Sequence, residues 1–283
     1  MSGSSIDALS ATTRLAAVIG SPVRHSLSPA LHNAAFRSLG LDWVYAAFEV
    51  APGRAAAAID AMKVLGLGGL SVTTPHKEDV ARAVDSLDPA AAALRSVNTV
   101  VPQTDGSVRG HSTDGAGFVA SLAAAGAGVA GRSVCLLGGG AAARSIADAL
   151  GRAGASRVAV LNRTPAAAEV AARLAGPVGV VGDTSDVAES EVVVNATSVG
   201  MGTDETPCDV SLLHAGQVVA DVVYHPRYTR LLRAAASAGA TVVDGLGMLV
   251  HQAALQQALW HGATPDVAVM AAAAERELRA RGQ

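Results

Sequence analysis

Three consecutive glycines, Gly138, Gly139 and Gly140, end the apolar run Val134 to Leu137, and an alanine-rich stretch follows at once. Residue types in that order read as strand, tight turn, helix. Gly138 and Gly140, with Ala143, fit the G-x-G-x-x-G/A spacing. The first glycine permits the turn, the second lets a pyrophosphate approach the backbone, and the small third residue lets helix and strand pack closely. A helix opening there aims unbonded N–H groups and the positive end of its dipole at phosphate oxygens. Gly139, Ala141 and Ala142 complete the candidate cradle. Glycine-rich turns are common, so the spacing needs support, and a second apolar run, Arg157 to Leu161, supplies it. That run ends in Asn162-Arg163-Thr164, roughly 20 residues past the turn, where NAD-binding folds usually carry an acid for the ribose hydroxyls. An acid would repel a 2′-phosphate, whereas Arg163 attracts one with a forked donor. The predicted cofactor is NADP rather than NAD.

Other polar residues stand where ligands bind. Thr73 and Lys77 lie at the C-terminal end of the strand expected at Gly69 to Thr74, and open α/β sheets place ligands at such strand ends. Thr74-Pro75 is a rigid turn that favours a fixed position for Lys77. Ser26 and Ser28 lie two apart in a proline-framed loop, so in an extended stretch both hydroxyls face one ligand, a polyhydroxylated or carboxylated one. Ser28 reads equally as the N-cap of a helix with Pro29 at its first position. Asp114, in Thr113-Asp114-Gly115, has N-capping as its alternative role. Asn98 is either a turn residue or an amide bridging Lys77 and Asp114. Asn195 to Met201 and Asp221 to Pro226 each follow an apolar strand; the first run, with Thr197 and Ser198, suits the nucleotide crevice. Gln252 shares an apolar stripe with Met248, Leu255 and Leu259, and a glutamine there needs hydrogen-bond partners from a ligand or from backbone.

The elements that must position these residues follow from periodicity. The 283 residues suffice for two modest domains. Residues 1–13 read as a disordered leader. Strands at 15–19, 43–50 and 69–74 alternate with helices at 28–39 and 52–65, and Asp105-Gly106 signals a hairpin between 98–101 and 107–110. Further strands are expected at 133–137, 157–161, 178–181, 192–195, 218–221 and 241–244, with helices at about 248–260 and 265–281. The fold class is α/β: an N-terminal α/β substrate domain with a mixed sheet plus a Rossmann-type, doubly wound NADP-binding domain. The expected division is 1–113 with 246–283 for substrate and 114–245 for NADP, hinged near 112–118 and 244–248.

Composition narrows the partner. Net charge is −3 with signs mixed along the chain, and aromatic residues make up 3%, so neither a basic footprint nor a base-stacking surface for nucleic acid is present. Cys135 and Cys208 have no metal-ligand spacing; no metal is expected, and Cys135 reads as core in a reducing compartment. No secretory signal and no apolar run of ~20 residues is visible, which predicts a cytoplasmic protein without a membrane span, binding a small molecule as a monomer or homodimer.

Taken together, the chain resembles the shikimate dehydrogenase family over nearly its whole length. The resemblance rests on Gly20 to Asn33, Val72 to Lys77, Val97 to Thr99, Ser112 to Gly115, the glycine turn, Asn162 to Thr164, Asn195 to Met201, Asp221 to Pro226 and Met248 to Gln252, in matching order and spacing. It implies reversible NADP-dependent oxidation of the shikimate 3-hydroxyl. It implies that Ser26 and Ser28 bind the carboxylate, that Thr73, Asn98, Thr113 and Gln252 hold hydroxyls, that Lys77 and Asp114 form the catalytic pair, and that Tyr224 sits near the carboxylate and nicotinamide. Asn195, Thr197, Ser198, Met201, Val222, Gly245 and Met248 join the glycine turn and Asn162 to Thr164 as the expected cofactor contacts. Three departures stand out: Ser71, where the family often has Asn; Ser112, where it usually has Asn; and alanines at 166–168, where a second arginine is usual. The serines keep a quinate or aminoshikimate dehydrogenase in play, with NAD as an alternative cofactor. A non-catalytic NADP sensor is disfavoured by the retention of Lys77 and Asp114. A methylene-tetrahydrofolate dehydrogenase-like reading is disfavoured by the paired-serine loop.

Overall fold

The computed structural model describes residues 9–282. Short apolar runs alternating with alanine-rich stretches give β1 (Arg14–Gly20), α1 (Ser28–Ser38), β2 (Trp43–Glu49), α2 (Ala55–Leu65), β3 (Gly69–Val72), α3 (Lys77–Ala83), β4 (Ser86–Leu87), α4 (Pro89–Leu94), β5 (Thr99–Pro102) and β6 (Val108–His111). Their strands form one mixed sheet ordered β2-β1-β3-β5-β6-β4. β1 runs parallel to β2 and β3, and β5 runs antiparallel to β3 and β6. The hairpin at Asp105-Gly106 joins β5 to β6: Gly106 takes φ +84°, and Asp105 Oδ1 accepts the Ser107 N–H at 2.9 Å.

The chain continues through α5 (Asp114–Ala124), β7 (Ser133–Leu137), α6 (Ala141–Arg152), β8 (Arg157–Leu161), α7 (Pro165–Leu174), β9 (Gly179–Val181), α8 (Asp186–Glu189), β10 (Val192–Asn195), β11 (Val218–Asp221), α9 (Arg230–Ser237) and β12 (Thr241–Val243). The second sheet is parallel throughout, ordered β12-β11-β10-β7-β8-β9. Its chain winds outward from β7 through β8 and β9, then returns to β10 on the other side of β7. That reversal is the switch point where such sheets open a ligand crevice. Alternate residues of β7 serve two cores: Val134 and Leu136 pack with Phe118, Leu122 and Ile146 on one face, Cys135 and Leu137 with Leu231 and Leu232 on the other. Each such burial contributes about 1.5–3 kcal/mol. Packing of this kind, rather than the intrinsic propensity of short helices, holds the layers together.

α10 (Gly245–His261) and α11 (Val267–Ala280) return to α1, where Leu246, Val250, Met270 and Leu278 close over Leu27 and Leu31. α5 is wedged between α6 and α10. A Cβ on Gly115 would strike the Ser145 carbonyl, and one on Gly117 would lie 2.5 Å from the Gln252 nitrogen.

Several expectations are corrected. The expected leader falls outside the described residues up to residue 8; beyond it, Thr12 and Thr13 hydroxyls donate to Asp42 at 3.0 and 2.7 Å and tie the chain to the start of β2. β4 and α4 add to the expected elements: β4 is two residues long and carries no period, and α4 is a six-residue helix that Asp88 caps by accepting the Ala91 N–H at 2.6 Å, with Pro89 in its first turn. α10 begins at Gly245 rather than Met248: Asp244 accepts the Leu246 N–H at 3.1 Å, and that cap outweighs the poor helix propensity of two glycines. α2 begins at Ala55, after a turn at Pro52-Gly53. The stripe assigned to α10 is rotated: Gln252, Gln256 and Gln257 are buried, while Leu255 and Leu259 are 36% and 39% exposed. Among the described residues no helix is long and apolar enough to cross a membrane, and no cluster of three metal-ligating side chains occurs.

Candidate active site

β3 ends at Val72, and α3 starts at Lys77 after a cis Thr74–Pro75 peptide; α5 starts at Asp114. The two helix starts lie next to each other, and Lys77 Nζ lies 2.6 Å from Asp114 Oδ2. The pair is largely withdrawn from water, at 20% and 14% side-chain exposure. Asn98 organises the carboxylate: its Nδ2 donates to Asp114 Oδ1 at 2.6 Å and to Thr113 Oγ1 at 2.9 Å, and its Oδ1 accepts the Thr113 N–H at 2.9 Å. Three expectations change here. Asn98 grips Asp114 but does not bridge to Lys77. Asp114 is the first residue of its helix, and its carboxylate is committed to the pair rather than to a cap. Thr113 is buried behind Asn98 and holds that amide instead of reaching the cavity.

The cavity in front of the pair has a volume of about 420 Å³. Ser26, Ser28, Thr73, Lys77, Asn98, Asp114, Tyr224 and Gln252 line it, together with Ala142, Met201, Val222, Gly245 and Met248. Ser28 does not cap α1. Leu27 takes the cap position without a side-chain bond, and Ser26 Oγ accepts the Ser28 N–H at 3.2 Å, so that the helix starts one residue early, just after the turn closed by the Ser26 N–H on the Val23 carbonyl. Burial pushes the Tyr224 phenol above its ordinary value, with Arg281 opposing. Gln252 Nε2 donates to the Leu249 carbonyl at 2.9 Å.

Behind Ser71 and Gln256 at the cavity floor lie Tyr45, His32 and Gln257, and of these five only Ser71 carries an expectation from the sequence. Tyr45 donates to Ser71 Oγ at 2.6 Å, Ser71 donates to Gln256 Oε1 at 2.7 Å, and Gln256 Nε2 reaches the Asn98 carbonyl at 3.3 Å. The buried His32 ring stacks on Tyr45 with centroids 4.1 Å apart, and its Nδ1 accepts from Gln257 Nε2 at 3.0 Å. The signal for Gln256 was its i+4 relation to Gln252, which puts both on one helix face.

The glycine turn lies at the C-terminal end of β7. Gly138 takes φ +122°, and a Cβ on Gly139 would lie 2.9 Å from Ala167. A Cβ on Gly140 would meet no protein atom within 4 Å, and α6 has no side-chain cap, so its first-turn N–H groups face open space. Asn162, Arg163 and Thr164 lie at the same sheet edge after β8. Asn162 Nδ2 bonds the Thr164 carbonyl at 3.0 Å, and Arg163 is exposed with no ion pair among the described residues. This donor set, a bare helix N-terminus beside a free guanidinium, fits a dinucleotide with a 2′-phosphate. Asn195 is corrected: it is fully buried, bonding the Val199 carbonyl and Asp221 Oδ1 and accepting from Thr197, so it shapes the loop rather than facing a ligand. Thr197 and Ser198, with Gly138 to Ala141, fall outside the 420 Å³ cavity, on the same sheet edge. Across the cleft, Arg144 of α6 meets Glu78 of α3 at 2.8 Å, beside Lys77.

Residues 18–100 match the family model for the shikimate dehydrogenase substrate binding domain, and residues 245–275 that for the shikimate 5'-dehydrogenase C-terminal domain. Residues 133–225, which hold the parallel sheet up to β11, match NADP oxidoreductase coenzyme F420-dependent. The shikimate dehydrogenase (NADP(+)) of Moorella thermoacetica is 44% identical over 272 residues, covering 92% of each chain. The shikimate 5-dehydrogenase of Thermus thermophilus, solved with NADP(H) and shikimate, has a TM-score of 0.87 at 37% identity, over 93% of this chain and 99% of that one. Quinate dehydrogenase from Corynebacterium glutamicum, solved with NAD, has a TM-score of 0.86 at 33% identity, over 92% and 98%.

Proposed function

The chain belongs to the shikimate dehydrogenase family, and from that premise we propose that it catalyses the reversible, NADP-dependent reduction of 3-dehydroshikimate to shikimate. The observation that carries the proposal is the Lys77–Asp114 pair at 2.6 Å, set on the wall of a cavity lined by strands of the mixed sheet and by residues that follow strands of the parallel sheet. On this reading residues 1–113 with 246–283 bind substrate and residues 114–245 bind NADP. The setting is cytoplasmic, in chorismate and aromatic amino-acid biosynthesis, with the protein a monomer or homodimer.

Bound NADP(H) supplies or accepts the hydride. Gly138 to Ala142 would cradle its pyrophosphate, and Asn162, Arg163 and Thr164 its 2′-phosphoribose, with Met201, Val222, Gly245 and Met248 along the nicotinamide wall. Ser26 and Ser28 hold the substrate carboxylate, beside Tyr224; Thr73, Asn98 and Gln252 hold hydroxyls. In the reducing direction negative charge grows on the carbonyl oxygen. The Lys77 ammonium stabilises that charge and delivers the proton, and Asp114, steadied by Asn98, aims the ammonium and the substrate hydroxyl. In the oxidising direction the same Lys77 nitrogen takes the proton back.

Ser71 favours one second reading. A serine at the cavity floor leaves room for a differently substituted ring, which supports quinate or an amino analogue as substrate, with NAD as cofactor. Initial rates with shikimate, quinate and aminoshikimate, each with NADP+ and NAD+, decide between them. The expected result is the highest kcat/KM for shikimate with NADP+. A preference for quinate with NAD+ would overturn the assignment, and no turnover of any combination would leave a binding protein.

A further inference from the structure

Arg281, one residue past α11, reaches back to the loop between β1 and α1. Its Nη1 donates to the His25 carbonyl at 2.7 Å, its Nη2 to the Ser26 carbonyl at 3.3 Å, and its Nε to Glu277 Oε1 at 2.8 Å. The two carbonyls belong to the peptide groups on either side of Ser26. A planar fork holding both therefore fixes the backbone that orients Ser26 Oγ, and through it the Ser28 N–H.

Charge points the same way. Lys77 is the one lysine or arginine on the cavity wall among the described residues, and Asp114 already neutralises it. The end of the cavity formed by Ser26, Ser28 and Tyr224 offers hydroxyls but no cation of its own. Arg281 stands directly behind that end, close enough for its charge to act on the Tyr224 phenol. A second cavity of about 390 Å³, lined by Arg24, Asn33, Arg37, Glu277 and Arg281, opens on the far side of the loop, so solutes reach this guanidinium without entering the catalytic cavity.

We infer that Arg281 is a positioning residue for the substrate carboxylate: it clamps the Ser26 backbone from behind and supplies, through the loop, the positive charge that the carboxylate end lacks. The inference rests on the substrate reading above and names the residue that tunes it. Arg281→Ala raises the KM and the calorimetric Kd for shikimate about tenfold, the scale of losing charge-assisted hydrogen bonds, while kcat and the KM for NADP+ stay within about twofold. Arg281→Lys, which keeps the charge and the aliphatic stem, loses less. Millimolar guanidinium, entering by the rear cavity, restores shikimate affinity in Arg281→Ala but not in Arg281→Leu, whose side chain fills the space. Shikimate methyl ester, with no carboxylate charge, loses less affinity in Arg281→Ala than shikimate does, because only the clamp on Ser26 is then missing. Unchanged shikimate affinity in Arg281→Ala overturns the inference, as does a joint loss of kcat and both KM values that guanidinium does not reverse. Wild type that binds shikimate without oxidising it overturns the activity alone, because the Kd comparison still reads Arg281; wild type that does not bind shikimate overturns both.

Discussion

The two ends of the cleft are built on opposite plans. At the substrate end the catalytic pair and the floor are satisfied within the protein: Lys77 on Asp114, Asp114 on Asn98, Asn98 on Thr113, and the floor chained from Tyr45 through Ser71 and Gln256 back to the Asn98 carbonyl. At the nucleotide end the glycine turn, the uncapped start of α6 and Arg163 face outward. One end is assembled before its ligand arrives, and the other is completed by its ligand. Proton transfer needs the first plan, because a donor misplaced by an ångström costs rate. Phosphate binding tolerates the second, because backbone N–H groups and a guanidinium attract anions over a broader range of approach.

The largest expected effect tests the pre-assembled end. Lys77→Ala lowers kcat by about 10²–10⁴, the range of general acid–base catalysis, with a smaller change in the KM for shikimate. Turnover retained within tenfold would show that the buried pair is scaffolding rather than proton chemistry. Next comes the open end: Arg163→Ala raises the KM for NADP+ about 10–100-fold, as loss of a charged hydrogen-bonding group predicts, and leaves the KM for NAD+ nearly unchanged. Equal effects on both cofactors would mean that Arg163 does not read the 2′-phosphate.

The smallest effect probes how rigidly the substrate end is backed. Burial pushes His32 down from an ordinary 6.5 to about 3, with Gln256 opposing and His261 adding to the fall. Folded protein therefore carries His32 neutral across a range in which the unfolded chain binds a proton there. Its contribution to stability is present above pH 6.5 and is lost as pH falls toward 3, with a slope that steepens below 6.5 toward the limit for uptake of one proton. Urea unfolding at about pH 7, 6 and 5 should show that slope, and His32→Asn should reduce it. Equal slopes for both proteins would place His32 in contact with water and the backing of the floor with it.

The same contrast governs what could be read from the chain. The open end was legible because its determinants are local: three glycines after a strand and Arg163 after the next strand lie within one βαβ unit. Lys77 and Asp114 were legible as candidates because each follows a recognisable element boundary. The backing was not. Ser71 and Gln256 are 185 residues apart, and nothing in the local period of either says that one will accept the other's proton. Arg281 looked like one more charge at the end of a helix until its fork met the loop of Ser26. On α10 the expectation fails for the leucines: Gln252 is buried, but Leu255 and Leu259 are over a third exposed, because Gln256 and Gln257 take the inner face against a polar floor built elsewhere in the fold.

The bare flanks of α5 carry a mechanical consequence. With Gly115 against α6 and Gly117 against α10, backbone meets backbone on two sides and no side chain is available to swing aside. α5 is therefore the keystone between α6 and α10: a side chain added at either glycine has to wedge one of those helices away. Asp114 stands in the first turn of that keystone, so such a wedge would reach the ion pair through backbone alone.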